Sequence, residues 1–440
     1  MSAPYSVFIP CAGLGTRMGA LTTHLNKSLV SVGGKPALAR VIDQFGPDAR
    51  LVVALGYKGS TVREFLELAY AERDIAFVEV APFEGPGSGL GHTLRCAEPL
   101  LREPFVFCSC DTLVAGGVPL PDRDWAGWAV VDAEGMEAYR TLEIAGGRVL
   151  RVNPKGCDGP ASRAYIGLAG IHDWRGFWSA MAEGGDRAVA EGEAWGLDAL
   201  AAAGRVEAVA FDWTDVGTRE KLAAVDDRYV PEVRATILPK ENEAIWFVNG
   251  LVVKFSDDAR FIRDRVARVA GLAGWVPELT GHRANMYAYR RVEGSILSEA
   301  VTLPVFERLL DRCRDFWRPA ALSAGEMADF RARCRKFYRD KTLDRLAAFY
   351  ERFGKADGAL SINGAPAPPL AGLLDRVDWD GLADGLPGRF HGDFHFENIL
   401  LAGDGRFVFL DWRQEFCGDL AVGDVYYDLA KLLHGLIVNH

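Results

Sequence analysis

Two folded domains in tandem are predicted: an α/β domain with a mixed, mostly parallel sheet, then an α+β domain in which a small sheet precedes a larger helical lobe. Three observations predict them. The 440 residues exceed the roughly 250 to 300 that a single hydrophobic core serves. From Tyr5 to about Tyr229, short apolar runs alternate with amphipathic stretches, the rhythm of β-α-β units. Beyond Glu243 that rhythm gives way to a hairpin pattern and long helical stripes. The expected boundaries are 1–230 for the first domain, 231–243 for a linker and 244–440 for the second.

In order, Val7 to Pro10, Leu51 to Leu55, Ile75 to Val80, Phe105 to Cys110 and Trp128 to Val131 predict strands. Val230 to Glu243, with two prolines and mixed charge, predicts the linker. Ile245 to Phe255 predicts two strands around Asn249-Gly250, a dipeptide suited to the positive φ angles of a tight hairpin turn. Asp258 to Leu272 predicts a helix with Ser256 as its cap. Pro304 to Phe353 is helical, with Phe306, Leu309, Leu310, Cys313 and Phe316 on one stripe.

A composition of 49% hydrophobic and 25% charged residues, with 24 Phe and 11 Trp, is that of a chain with ample core material. The net charge of −10 excludes a general nucleic-acid or anionic-membrane binder, whose affinity comes from neutralising phosphates. Arg331, Arg333, Arg335, Lys336, Arg339 and Lys341 form a basic stretch interleaved with apolar residues, which reads as a solvated helix face. Eight scattered cysteines without a C-x-x-C pair read as buried thiols. Met1 to Pro10 lacks the pattern of a secretory signal and no run of 18 apolar residues occurs, so a reducing, cytoplasmic setting is expected.

The first strand runs into Cys11-Ala12-Gly13-Leu14-Gly15-Thr16-Arg17-Met18-Gly19. Glycines at such a turn let backbone N–H groups approach a phosphate, and Arg17 adds charge-assisted contacts. The spacing misses the dinucleotide fingerprint G-x-G-x-x-G. Asn26-Lys27-Ser28-Leu29 and Gly34-Lys35-Pro36 follow. Asp111 ends an apolar run, and Trp213-Thr214-Asp215-Val216-Gly217-Thr218 comes late. Together these resemble the nucleotidyltransferases that make nucleotide sugars and CDP-alcohols, over residues 5 to 229. The resemblance implies a Rossmann-like domain in which Gly13, Gly15 and Thr16 bind the nucleotide. Arg17 and Lys27 would stabilise charge as pyrophosphate leaves, and Asp111 and Asp215 would hold Mg²⁺. It also implies that Ser88 and Gly89, in Pro86 to Thr93, face the nucleobase. Lys155 would meet the acceptor's phosphate, and Tyr165 and Gly167 would line its pocket.

His391-Gly392-Asp393-Phe394-His395-Phe396-Glu397-Asn398 is the sharpest motif. It resembles the H-G-D-x-x-x-x-N loop of the choline kinase and aminoglycoside phosphotransferase family, over residues 240 to 440. That likeness implies a bilobal, protein-kinase-like domain. Asp393 would accept the proton of the attacking hydroxyl, Asn398 and Asp411 would hold Mg²⁺, and Lys254 would bind the α and β phosphates of ATP. His391 reads as a structural hydrogen-bonder and Asp428 as a brace of the loop. No glutamate follows Lys254 in the next helix, where Asp264 is the only acid well inside. Kinases of this type continue for several helices past their D-L-A segment, whereas this chain stops at His440, so a truncated second domain is expected.

The two likenesses imply sequential activation of a small metabolite. ATP phosphorylates a hydroxyl, then an NTP, CTP or UTP before the others, gives an NDP-sugar or CDP-alcohol for surface polysaccharide, with a phosphorylated sugar or amino-alcohol or polyol as the intermediate. An alternative is an active nucleotidyltransferase controlled by a pseudokinase half. Neither nucleic acid nor membrane is expected as a partner, and a homo-oligomer stays open.

Overall fold

A computed structural model describes residues 5–131, 133–156, 162–225, 229 and 240–437. The chain folds into two compact units, residues 1–258 with 281–288, and residues 259–280 with 289–440. Most of the expected linker, residues 230–239, lies outside the described residues.

The first unit is built on a nine-stranded sheet. Its strands, with a separate short pair, are β1 (Ser6–Cys11), β2 (Arg50–Leu55), β3 (Ile75–Glu79), β4 (Phe105–Cys108), β5 (Thr112–Ala115), β6 (Trp125–Ala129), β7 (Thr141–Ala145), β8 (Arg148–Asn153), β9 (Ser162–Ile171), β10 (Glu207–Ala210) and β11 (Asp212–Asp215). The sheet order is β3-β2-β1-β4-β9-β6-β10-β8-β7, while β5 and β11 pair apart from it. β3, β2, β1 and β4 are parallel, as is β6 with β10, and the remaining neighbours are antiparallel. The sheet is thus mixed, with its parallel character concentrated in the first half.

Helices α1 (Ala37–Ile42), α2 (Gly59–Ala69), α3 (Leu90–Ala97), α4 (Trp174–Glu191) and α5 (Glu193–Ala202) belong to the same unit. Strand residues alternate between two cores. Val7, Ile9, Leu51 and Val53 point into one, Phe8, Val52 and Ala54 into the other, as the two-residue period of a strand dictates. Both faces of the parallel half are therefore covered, which explains its unbroken apolar runs. The fifth expected strand forms earlier, at Trp125–Ala129, where Trp125 is fully buried while Val130 is 82% exposed.

The predicted hairpin forms as β12 (Glu243–Val248) and β13 (Leu251–Ser256), with Asn249 at φ 52° and Gly250 at φ 72°. Although expected to open the second domain, it packs on the first unit. Trp246 is fully buried and meets Phe65 of α2 edge-on at 5.4 Å.

The second unit contains α6 (Ala259–Arg268), α7 (Leu303–Phe316), α8 (Ala324–Arg335), α9 (Lys341–Phe353) and α10 (Val425–Ile437), with a small sheet of β14 (Gly294–Ile296), β15 (Ile399–Ala402) and β16 (Phe407–Phe409). The predicted helical stretch 304–353 breaks after Phe316 and restarts at Ala324 behind a capping box of Ser323 and Glu326. Of its stripe, Leu309, Cys313 and Phe316 are buried. Phe316, Phe394 and Phe409 form an aromatic knot, with Phe316 and Phe409 5.0 Å apart and Phe394 and Phe409 4.8 Å apart. Cys96 and Cys417 are part-exposed, unlike the other described thiols.

Candidate active sites

A cavity of about 530 Å³ opens at the carboxyl ends of β1 and β4. Gly13, Gly15, Thr16, Arg17, Lys27, Ser88, Gly89, Asp111, Lys155, Tyr165, Gly167 and Asp215 all line it. Every residue that the sequence assigned to a site in the first domain is thereby brought to one place.

Local geometry explains several of these positions. Gly15 has φ +69°, and a Cβ there would stand 2.8 Å from Lys27 Cβ, so the turn can lie against the lysine only with glycine. Asn26 fixes the next segment. Its Nδ2 donates to the carbonyls of Cys11 at 3.0 Å and Tyr57 at 2.6 Å, and its Oδ1 accepts from Ser28 N at 2.9 Å. Lys27 is thus aimed at Asp111, Nζ to Oδ2 2.5 Å. Burial pulls the Lys27 ammonium down, but the Asp111 carboxylate and Cys110 outweigh it and hold it above its ordinary value.

The two carboxylates meet through strand register. Asp215 of β11 stands opposite Thr112 of β5, one residue past Asp111. A Cβ on Gly217 would lie 2.5 Å from Asp111 Oδ2 and 2.9 Å from Asp215 Oδ1, so both acids border the same small volume. Asp215 accepts from Tyr139 Oη at 2.6 Å, Lys221 Nζ at 2.7 Å and Gly217 N at 2.7 Å. Burial works against ionisation there, but these donors hold the carboxyl below its usual range. Two carboxylates bordering one small volume suit a hard cation that keeps water and phosphate oxygens as its other ligands.

At the far end, burial together with Arg17 and Arg140 lowers the Lys155 ammonium from its ordinary value. No sequence signal marks Glu193, at the start of α5. It is 6% exposed, and burial pushes its carboxyl up to about 7 against the pull of Arg140 and Lys155. Neither Glu193 Oε2 nor Tyr165 Oη has a hydrogen-bond partner among the described residues. Both line the cavity, where hydroxyls of a bound molecule could satisfy them.

In the second unit the motif residues also converge. Asp393 Oδ2 accepts from Asn398 Nδ2 at 3.1 Å, and the carbonyl of Asp393 from the same amide at 2.9 Å. The Asn398 amide nitrogen is thereby committed, which leaves its Oδ1 for a cation. Leu410 N donates to Asn398 O at 2.8 Å, tying the Asp411 loop to the loop from His391 to Asn398. Asp411 adopts a left-handed backbone, φ 59°, and its Oδ1 accepts from Arg265 of α6 at 2.6 Å. Asp393 Oδ1 lies 3.0 Å from Lys431 Nζ on α10. Although burial opposes it, the hydrogen bonds from His395 and Lys431 hold the Asp393 carboxyl well below its ordinary value.

Behind these groups, Asp428 is fully buried and accepts from His391 N at 2.6 Å, Gly392 N at 2.7 Å and Trp317 Nε1 at 3.1 Å. It braces the loop as the sequence suggested. His391 is held neutral: burial and then Arg268 push it down to about 3, its Nε2 bonds Leu410 O at 2.8 Å and its Nδ1 accepts from Asp393 N at 3.2 Å. Arg268 of α6, another residue without a sequence signal, ties the segment together by donating to the carbonyls of Phe390, Arg413 and Leu420. Asp264 is held by Arg260 and Arg263. Lys254 is buried in β13 of the first unit.

Residues 7–116 match the family model of the MobA-like NTP transferase domain, and residues 254–439 that of the phosphotransferase enzyme family. The chain joins an NTP transferase domain to a phosphotransferase domain. Among curated relatives of the NTP transferase domain, a probable glucose-1-phosphate cytidylyltransferase of Bacillus subtilis (strain 168) is 30% identical over 123 residues, 27% of this chain and 44% of the relative. The UTP–glucose-1-phosphate uridylyltransferase AglF of Haloferax volcanii is 31% identical over 105 residues, 23% of this chain and 41% of the relative. The chain thus spans less than half the length of each. A solved UDP-glucose pyrophosphorylase in complex with UDP-glucose is similar at 18% identity and a TM-score of 0.45, covering 52% of this chain and 98% of that one. Among the described residues no helix is long and apolar enough to cross a membrane.

Proposed function

We propose that the NTP transferase domain condenses CTP or UTP with a phosphorylated sugar, amino-alcohol or polyol, releasing pyrophosphate, and that the phosphotransferase domain makes that phosphorylated acceptor from ATP. The observation that carries the first half is the single cavity holding a glycine turn, two cations and two carboxylates. Attack of the acceptor's phosphate oxygen on the α-phosphorus builds negative charge on the α-phosphoryl oxygens and on the departing pyrophosphate. Lys27, rigidly aimed and fully charged, and Arg17 offset that charge without reorganising. Lys155 meets the acceptor's phosphate, and Glu193 with Tyr165 binds its hydroxyls. Ser88 and Gly89, ahead of α3, face the base. Asp111 and Asp215 would hold Mg²⁺, which when bound neutralises the triphosphate. The activities of the two relatives, one a cytidylyltransferase and one a uridylyltransferase, support CTP or UTP and a sugar phosphate.

In the second half, Asp393 orients the attacking hydroxyl and accepts its proton as the γ-phosphoryl group transfers, and the neutral His391 only shapes the loop. Asn398 and Asp411 would hold Mg²⁺, which when bound neutralises the nucleotide phosphates. A cytoplasmic supply of precursors for surface polysaccharide fits this order of steps. A second reading is favoured by the ion pair of Arg265 with Asp411, which occupies a metal-binding carboxylate: the second half then binds nucleotide without transferring phosphate and regulates the first.

A thermal-shift screen with ATP, CTP, UTP, GTP and dTTP, each with Mg²⁺, tests the reading, because a specific ligand raises the apparent stability by mass action. Stabilisation by CTP or UTP and separately by ATP is expected, and no response to any pyrimidine nucleotide would refute the first half.

A further inference from the structure

The basic stretch 331–341 divides in the structure. Arg331, Arg333, Arg335 and Arg339 pair with Asp384, Asp419, Asp380 and Asp340, a solvated face as the sequence suggested. Lys341 has no such partner. Its ammonium lies over the Phe337 ring, 4.5 Å from the centroid, and the Arg413 guanidinium lies 4.9 Å from the same centroid. Arg413 belongs to the catalytic centre by position. Its amide donates to His391 O at 2.9 Å, and a Cβ on Gly392 would stand 2.5 Å from its own Cβ. Tyr427 meets Phe337 at 4.8 Å and carries Lys431, one turn on, with its ammonium 6.0 Å from the Tyr427 centroid and 3.0 Å from Asp393 Oδ1. Arg345, one turn past Lys341 on α9, adds a fourth cation.

Among the described residues, Lys341, Arg345 and Arg413 form no ion pair with a carboxylate. Burial and the neighbouring Arg413 and Arg345 push Lys341 down to about 8, so like charges are crowded at some cost in stability. An anion delivered by a ligand relieves that crowding, whereas an ammonium adds to it.

We propose that the acceptor phosphorylated by the second unit is itself an anion, a hydroxyl compound carrying a carboxylate or a phosphate, bound by Lys341, Arg345, Arg413 and Lys431 beside Asp393. Among the acceptors named above, such a site selects against a cationic amino-alcohol. The proposal rests on the phosphotransferase reading of this unit and names its substrate class.

The test compares glucose, glucosamine, glucuronate and glucose 6-phosphate as acceptors for the full chain with ATP and Mg²⁺. Equilibrium dialysis of labelled glucuronate and glucose 6-phosphate runs alongside, in the presence of ADP. The expected result is a kcat/KM at least tenfold higher for one of the two anions than for glucose or glucosamine, carried by KM; which anion responds tells carboxylate from phosphate. Lys341→Met and Arg413→Gln should each cut that preference at least tenfold, and Arg331→Gln should leave it unchanged. Arg345→Gln, at an exposed position, serves if Arg413→Gln does not fold. Binding of an anion that these substitutions weaken, without turnover, would support the anion site while refuting phosphoryl transfer. Turnover of glucose or glucosamine without anion preference, an effect confined to KM for ATP, or neither binding nor turnover of an anion would overturn the proposal.

Discussion

Replacing Gly217 by alanine should disable nucleotidyl transfer without unfolding the protein. The new Cβ would lie 2.5 Å from Asp111 Oδ2 and 2.9 Å from Asp215 Oδ1. Ordinary carbon contacts begin near 3.5 Å, so the first oxygen must retreat by about 1 Å. It cannot do so without disturbing the 2.5 Å contact with Lys27, and Asp215 is fixed by three donors. A displacement of about 1 Å at reacting groups costs on the order of 10²-fold in rate, or about 2.7 kcal/mol. Gly217 is not among the glycines with positive φ, so alanine meets no backbone strain there, and a Tm close to wild type is expected. The assay is continuous pyrophosphate release at saturating CTP or UTP with a phosphorylated acceptor. Activity within threefold of wild type would show that the two carboxylates do not act together around this residue.

Other perturbations have equally definite outcomes. Lys27→Met should lower kcat for pyrophosphate release by about 10²- to 10³-fold with a smaller change in KM for the nucleotide, the signature of charge stabilised mainly in the transition state; equal changes in both would contradict that role. The Glu193 carboxyl keeps its proton up to about 7 in the folded chain against an unfolded value of 4.5. Its contribution to stability is therefore full below pH 4.5 and lost as pH rises through 7, by at most about 3 kcal/mol. Glu193→Gln should flatten that part of the stability profile measured by urea denaturation, and an unchanged slope would refute it. Asp428→Ala strands three buried donors, those of His391, Gly392 and Trp317, and should destabilise the second unit by about 2–4 kcal/mol; a loss under about 0.5 kcal/mol would show that another group braces the loop.

Features set by neighbours in the chain were legible from the sequence. The glycine turn after β1, the Asn249-Gly250 hairpin, the apolar run Val7 to Pro10 and the His391 to Asn398 loop each depend on a few adjacent residues whose types restrict the backbone. Contacts between distant segments left no periodic trace. Arg265 reaches Asp411 across 146 residues, Tyr139 reaches Asp215 across 76, and no local pattern marks an arginine or tyrosine for such a partner. Glu193 carries no local signal either, because its burial comes from packing between distant segments. Ile245 to Phe255 carries the hairpin signal, but an apolar face does not say which core it will join, and Trp246 joins the first.

The account holds that one chain carries two separate transfer centres, and crossing two substitutions tests this most directly. Pyrophosphate release from CTP or UTP and ADP formation from ATP are measured on the wild type, Asp111→Asn and Asp393→Asn, with matched acceptors. Loss of only the first activity in Asp111→Asn and of only the second in Asp393→Asn is the predicted result. Wild-type levels of both activities in either variant, or loss of both in one well-folded variant, would contradict it.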